Sequence, residues 1–193
     1  WERRHSDVPI EDWMFSDPEA EFAHTLDIDC AEITAMVAKP GDPGNGVELR
    51  DLPEPPRVDL AYAGSCTGGK REDLMRVHEV VRWALDHNLT MPLHVQFFIQ
   101  FGSEDVRRYA IQMGWISAFE EAGARILGPG CGACVNAGPG VSTRPDQVTV
   151  SAVNRNFPGR SGPGQVWLAS PATVAASAFA GRLCGFEELI KNK

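Results

Sequence analysis

Two cysteines separated by two small residues are the first feature of this sequence that could do chemistry. Cys131-Gly-Ala-Cys134 lies in the glycine-rich stretch 128–140, whose small side chains let the backbone come close to whatever the sulfurs bind. The C-x-x-C spacing is typical of half a zinc site, of a thioredoxin-like redox pair and of a buried structural pair. Because the sequence has no second C-x-x-C, the pair alone leaves these interpretations open.

A third cysteine, Cys66, directly follows a predicted strand, in Gly64-Ser-Cys-Thr67. α/β folds place ligands on loops of this type, at the carboxyl ends of the strands. Iron-sulfur clusters usually take four cysteines, so three thiolates would leave one iron without a protein ligand and free to act as a Lewis acid. Without other evidence, a small buried residue at a strand end is the favoured interpretation of Cys66.

Two arginines follow a later predicted strand, in the segment Asn154-Arg-Asn-Phe-Pro-Gly-Arg160. Arg155 and Arg160 can each present a planar guanidinium to a carboxylate, which a di- or tricarboxylate substrate requires. Asn154 and Asn156 add short neutral polar groups beside them. Asn, Pro and Gly are also ordinary turn residues, but two arginines that bracket a Pro-Gly turn at a strand end favour an anion-binding loop.

The remaining cysteines, Cys30 and Cys184, match no motif, and we predict them to be small core residues. The total of five is odd and no secretory signal accompanies it, which argues against a disulfide framework.

The composition is that of an ordinary globular protein, with 43% hydrophobic and 23% charged residues in a chain of 193. We predict one domain over residues 1–193, with a lead-in of residues 1–57 rich in Pro and Gly loops and a core of residues 58–193. The 26 acidic residues outnumber the 18 basic ones, and the formal charge of -8 would repel nucleic-acid phosphates. Apolar runs are too short to span a bilayer. The sequence therefore predicts a cytoplasmic protein without a nucleic-acid or membrane partner.

Strand and helix signals alternate around the three loops. Strands are predicted at 31–38, 58–63, 93–100, 124–127, 148–153 and 166–169, and helices at 16–25, 72–87, 103–113, 116–122 and 171–182. This alternation predicts a three-layer α/β/α domain with a mainly parallel sheet, whose functional loops lie at the carboxyl ends of the strands.

Four short segments together carry a family signature through their order and spacing. They are Gly64-Ser-Cys-Thr67 with Glu72-Asp-Leu74, Gly130-Cys-Gly-Ala-Cys134, Asn154-Arg-Asn-Phe-Pro-Gly-Arg160 and Leu168-Ala-Ser-Pro171. The set resembles the iron-sulfur cluster domain of the aconitase superfamily, the third of the large-subunit domains, and looks most like the branch of isopropylmalate dehydratase large subunits and homoaconitases. The resemblance implies a component of a hydro-lyase acting on a hydroxy di- or tricarboxylic acid such as isopropylmalate, homoaconitate or aconitate.

The resemblance also implies roles for individual residues. Cys66, Cys131 and Cys134 would ligate a 4Fe-4S cluster, whose open iron binds the substrate while water is lost and re-added. Arg155 and Arg160 match positions that bind substrate carboxylates. Asn154 matches a position beside the cluster.

Two departures and one omission qualify this expectation. Gly68 stands where the family commonly has Asn, and Phe101-Gly-Ser103 stands where Pro-Gly-Ser is common. The family's catalytic acids, histidines and serine base lie on other domains, so we expect no catalytic acid or base in this chain.

The expected partners are therefore the remaining large-subunit domains and a swivelling domain or small subunit, and we expect the chain alone to be inactive. The alternative hypothesis is a non-catalytic module of the same ancestry, which binds a cluster or a zinc ion for regulation or assembly. An RNA-binding regulator is disfavoured by the acidic balance.

Overall fold

The computed structural model of the chain describes residues 11–193, so the first ten residues of the predicted lead-in lie outside the described residues. Contacts divide the chain into a leading unit that ends at Ile33 and a second unit, Thr34–Lys193. In the described part of the leading unit, one 3-10 turn at Asp12–Met14 is the only helix, and nearly all side chains are exposed. The helix predicted at 16–25 is wrong, because a short helix depends on a packed apolar face and these residues bury none.

The second unit is built on a seven-stranded sheet with the order β2-β1-β7-β6-β3-β4-β5. The strands are β1 Met36–Ala38, β2 Gly46–Glu48, β3 Leu60–Gly64, β4 Gln96–Gln100, β5 Arg125–Leu127, β6 Val148–Ser151 and β7 Gln165–Ala169. The five strands from β7 to β5 in this order are parallel. β1 and β2 form an antiparallel hairpin on the β7 edge.

Six α-helices accompany these strands in the described residues. They are α1 Ser65–Gly68, α2 Arg71–Asp86, α3 Glu104–Gln112, α4 Trp115–Glu121, α5 Pro171–Ala180 and α6 Phe186–Lys191. Helices α3 and α5 each begin after a serine N-cap. The hydroxyls of Ser103 and Ser170 accept hydrogen bonds from the amides of Val106 and Thr173. No helix in this part of the chain has the length and apolarity needed to cross a membrane.

The two faces of the sheet are covered by unequal layers. One face packs against α2, α4 and α5 and forms the larger apolar core, into which alternate strand residues such as Ala61, Phe97 and Ile99 point. The other face carries Leu60, Tyr62 and Phe98 and is covered by the loop after β5, whose single 3-10 turn is Gly132–Val135. We call these the helix face and the loop face.

The α/β class and the mainly parallel sheet are confirmed. Helices α2 to α5 begin and end close to their predicted limits, whereas three strands start at least two residues later than predicted, at Met36, Leu60 and Gln96. The short strand β2, the single-turn helix α1 and the helix α6 were missed. The assignment of residues 1–193 to one domain stays a prediction.

Candidate functional site

The residues singled out from the sequence lie on loops at one edge of the sheet. Because β3 to β7 run parallel, their carboxyl ends share that edge. Cys66 follows β3, the pair Cys131 and Cys134 follows β5, and the segment 154–160 follows β6. The fold thus gathers the predicted ligands and the predicted anion-binding loop at the same end of the parallel strands.

A strained turn brings Cys66 to the surface. Gly64 and Ser65 have positive φ angles of 117° and 71°, so the chain turns sharply from β3 into α1. A Cβ on Gly64 would lie 1.8 Å from the carbonyl oxygen of Gln100, so only glycine fits there. Strain of this kind clusters at functional sites. Cys66 is exposed, which contradicts its interpretation as a small buried residue at a strand end.

The cysteine pair sits on the 3-10 turn of the loop face. The amide of Cys134 donates to the carbonyl of Cys131 (3.1 Å), and Asn136, with a φ of 59°, ends the turn. Cys131 is exposed, whereas Cys134 is buried. The pair therefore presents one open and one enclosed sulfur.

The segment 154–160 contacts the buried sulfur of Cys134. Nη2 of Arg160 donates to Sγ of Cys134 (3.5 Å), and that thiol donates to Oδ1 of Asn154 (3.8 Å). Nε of Arg160 is buried and has no hydrogen-bond partner in the described residues. The Arg160 guanidinium and the Asn154 amide thus both contact the Cys134 sulfur.

The other arginine and asparagine of this segment behave differently. Arg155 is exposed and forms no hydrogen bond or ion pair within residues 11–193, so its guanidinium is available to an anion. Asn156 is buried, and its Nδ2 donates to the carbonyls of Lys39 (2.8 Å) and Val166 (3.1 Å). Asn156 therefore anchors the segment to the chain around β1 and β7, a role that the sequence did not reveal.

Two further residues lie beneath the cysteine pair and were missed from the sequence. Oη of Tyr62 donates to Oε1 of Gln100 (2.5 Å), and Nε2 of Gln100 donates to the carbonyl of Gly128 (3.1 Å). Burial raises the pKa of Tyr62 to about 12; a backbone hydrogen bond from Ala133 opposes the rise and the negative charge of Cys134 adds to it. The only sequence signal was a glutamine, Gln100, directly after the apolar run Phe97-Phe-Ile99.

The cysteines of the described residues are all free, so three thiols are available at this edge. In the described part of the chain, no group of three Cys, His, Asp or Glu side chains is arranged to hold a metal ion. A zinc site needs its N and S ligands around one ion, whereas the cysteines of a 4Fe-4S cluster bind different irons and stand farther apart. Three free thiols beside the Arg160 guanidinium match the donor chemistry of a 4Fe-4S cluster, in which each cysteine binds one iron.

Comparisons with known proteins agree with this geometry. The family model described as Aconitase family (aconitate hydratase) matches residues 5–181. The chain is 37% identical over 182 residues to the homoaconitase large subunit of Thermus thermophilus, covering 93% of this chain and 42% of that protein. It is 35% identical over 175 residues to the 3-isopropylmalate dehydratase large subunit of Picrophilus torridus, covering 90% and 40%.

A third relative, the 2,3-dimethylmalate dehydratase large subunit of Eubacterium barkeri, is 34% identical over 176 residues, covering 90% of this chain and 40% of that protein. The chain thus spans about two fifths of the length of the curated relatives it matches.

Proposed function

This chain belongs to the aconitase family, and we propose that it is the cluster-binding part of a hydro-lyase that acts on a hydroxy di- or tricarboxylic acid. Members of this family are generally iron-sulfur enzymes. The observation that carries the proposal is the grouping of three free cysteines and the Arg160 loop at the carboxyl edge of one parallel sheet.

In this proposal Cys66, Cys131 and Cys134 are the ligands of a 4Fe-4S cluster. Held by three cysteines, such a cluster keeps one iron without a protein ligand, which supplies a Lewis acid for the loss and addition of water. The chain's own contribution is to orient the three sulfurs. The turn at Gly64 exposes Cys66, and the 3-10 turn of the loop face separates Cys131 from Cys134.

The two arginines are placed to bind different groups. Arg160 already contacts Cys134, and its Nε is a donor without a partner among the described residues, for which a substrate carboxylate is the proposed acceptor. Arg155 is exposed and unpaired among the described residues, so it is the more accessible anchor for a substrate carboxylate. Asn154 lies beside Cys134 and completes the polar border of the site.

We assign no acid or base catalyst to this chain. The relatives are named as large subunits, and the chain covers about two fifths of them. We therefore propose that the remaining large-subunit domains and a swivelling domain or small subunit supply the proton-transfer groups. The cytoplasmic location stays a prediction.

Anaerobic reconstitution with iron and sulfide tests the proposal. We expect the wild-type chain to develop a broad visible absorbance, and Cys66→Ser, Cys131→Ser and Cys134→Ser each to lose it. Cys30→Ser is the matched control, because Cys30 matches no motif and is free and exposed, which shows that its predicted place in the core is wrong. Failure of the wild-type chain to acquire the absorbance, or equal loss in Cys30→Ser, would overturn the proposal.

Titration with zinc tests the alternative of a zinc-binding module of the same ancestry. One zinc bound tightly per chain through the same three cysteines, in place of a cluster, would support that alternative over the hydro-lyase.

A further inference from the structure

The loop face buries two polar side chains in apolar surroundings. Tyr62 is 1% exposed and Gln100 is 4% exposed, and the apolar residues around them include Leu60 and Phe98. Burying a hydroxyl or an amide is costly unless its hydrogen bonds are satisfied. Apolar side chains of similar size would fill the same volume without that requirement. Packing alone therefore does not explain why these two buried side chains are polar.

The hydrogen bonds of this pair lead to the cysteine loop. In the register of β3 and β4, Tyr62 lies opposite Phe98 and Gly64 lies opposite Gln100, so Tyr62 and Gln100 are diagonal neighbours on one face. Tyr62 donates to Gln100, and Gln100 donates to Gly128 at the start of the loop.

The backbone of Ala133, between the two cysteines, also faces the phenol of Tyr62 and opposes the rise that burial causes in its pKa. The pair therefore holds the loop backbone by a hydrogen bond at Gly128, before Cys131, and faces it again between Cys131 and Cys134.

Two glycines of the loop sit directly on this pair. A Cβ on Gly132 would lie 2.4 Å from Oη of Tyr62, 2.8 Å from Oε1 of Gln100 and 2.9 Å from its Nε2. A Cβ on Gly140 would lie 2.4 Å from the ring of Tyr62. The loop backbone thus rests on the two side chains at van der Waals distance, in addition to its hydrogen bonds.

We propose that Tyr62 and Gln100 are positioning residues that hold the loop 128–140 in the conformation in which Cys131 and Cys134 can both bind a cluster. The inference rests on the proposed function for the identity of the ligand, but the contacts it invokes are made by the chain's own residues. A loop held in advance loses less conformational freedom when it binds, and binds more tightly for that reason.

Amide hydrogen exchange of the chain before reconstitution tests directly whether Tyr62 and Gln100 hold the loop. In Tyr62→Phe the ring remains and only the hydroxyl is lost, so Gln100 loses the partner that fixes its side chain against Gly128. We therefore expect the amides of the loop 128–140 to exchange about tenfold faster, the factor that one lost hydrogen bond implies. Thr149→Val is the matched control. Thr149 lies opposite Leu60 on the same face, and its buried hydroxyl has no hydrogen-bond partner in the described residues. Unchanged exchange in Tyr62→Phe, or equal acceleration in Thr149→Val, overturns the inference.

The double variant Tyr62→Phe with Gln100→Leu distinguishes two roles of the pair. In one role the two side chains position the loop, and in the other they only satisfy each other's buried hydrogen-bonding groups. Replacing both partners by apolar groups can restore stability that either single change removes. We expect the double variant to regain most of the thermal midpoint lost in Gln100→Leu, while its loop amides still exchange fast. Slow exchange in the double variant would show that Tyr62 and Gln100 only satisfy each other's hydrogen bonds. That result would overturn the positioning role.

The loaded chain gives an independent readout. After reconstitution, the rate at which a chelator removes iron should rise about tenfold in Tyr62→Phe and in the double variant, and stay at the wild-type value in Thr149→Val. A wild-type chain that acquires no cluster refutes the proposed function, while the exchange experiment still decides whether the loop is clamped.

Discussion

The helix face and the loop face of the sheet differ in what covers them. On the helix face, α2, α4 and α5 pack apolar side chains against alternate strand residues in one large core. On the loop face, a thiol, a phenol and an amide lie among a few apolar residues under a glycine-rich loop. The first face stabilises the fold by burial, whereas the second depends on hydrogen bonds that are satisfied in one loop conformation.

This difference implies that the two faces can be damaged separately. A change on the helix face should lower the stability of the whole unit while leaving the local geometry of the cysteines intact. A change on the loop face should alter the cysteines at a smaller cost in stability, because the cluster of buried residues there is small.

The largest stability effect is expected on the helix face. Phe119 in α4 is fully buried in the large core. Phe119→Ala should lower the free energy of unfolding by about 3–5 kcal/mol, because it removes a large apolar side chain and leaves a cavity. Denaturant titration measures the loss. Val135→Ala is the control on the loop face: Val135 is exposed, so its loss should stay within about 0.5 kcal/mol. Equal losses would contradict the division between the faces.

A smaller stability effect with a larger effect on the site is expected at Gly132. Gly132→Ala places a Cβ in a residue with a φ of 52° and against Tyr62 and Gln100, so the turn that carries both cysteines must shift. We expect a loss of about 1–3 kcal/mol from backbone strain and clash, together with loss of the visible absorbance after reconstitution.

Gly138→Ala is the matched control for this change. Gly138 has a φ of 72° in the same loop, but a Cβ there would meet nothing within 4 Å. It should therefore carry the backbone strain and still acquire the cluster. Equal loss of the absorbance in both variants would show that strain alone, and not the contact with Tyr62, accounts for the effect.

The smallest expected effect is opposite pH dependence of the two faces. His78 in α2 stacks on Trp115, and burial lowers its pKa from the ordinary 6.5. The unfolded chain therefore takes up this proton first, and stability falls as the pH drops through 6.5. The pKa of Tyr62 is raised from 10.0 to about 12. The unfolded chain loses that proton first, and stability falls between pH 10 and 12.

Thermal midpoints across this pH range measure both losses. His78→Phe should remove the acid-side dependence and Tyr62→Phe the alkaline one. An acid-side loss that persists in His78→Phe would assign it to another group.

Some elements followed from the sequence because their signals are local. In α2 the apolar residues Leu74, Val77, Val81 and Ala84 recur at helical spacing and form one buried stripe. The segment 16–25 had a capping pattern without such a stripe, and it forms no helix. The strand β2 was missed because its three residues have no pattern of their own and are defined by pairing with β1.

By itself, the sequence determined the class of fold, the family and the placement of three cysteines and two arginines after predicted strands. Only the tertiary structure decided that Arg160 and not Arg155 meets Cys134, that Asn156 is an anchor, and that Tyr62 and Gln100 support the cysteine loop. The physical reason is the distance along the chain over which each kind of interaction acts. Periodicity and turn chemistry act between neighbours along the chain, whereas strand register brings together side chains as distant as Tyr62 and Gln100, 38 positions apart.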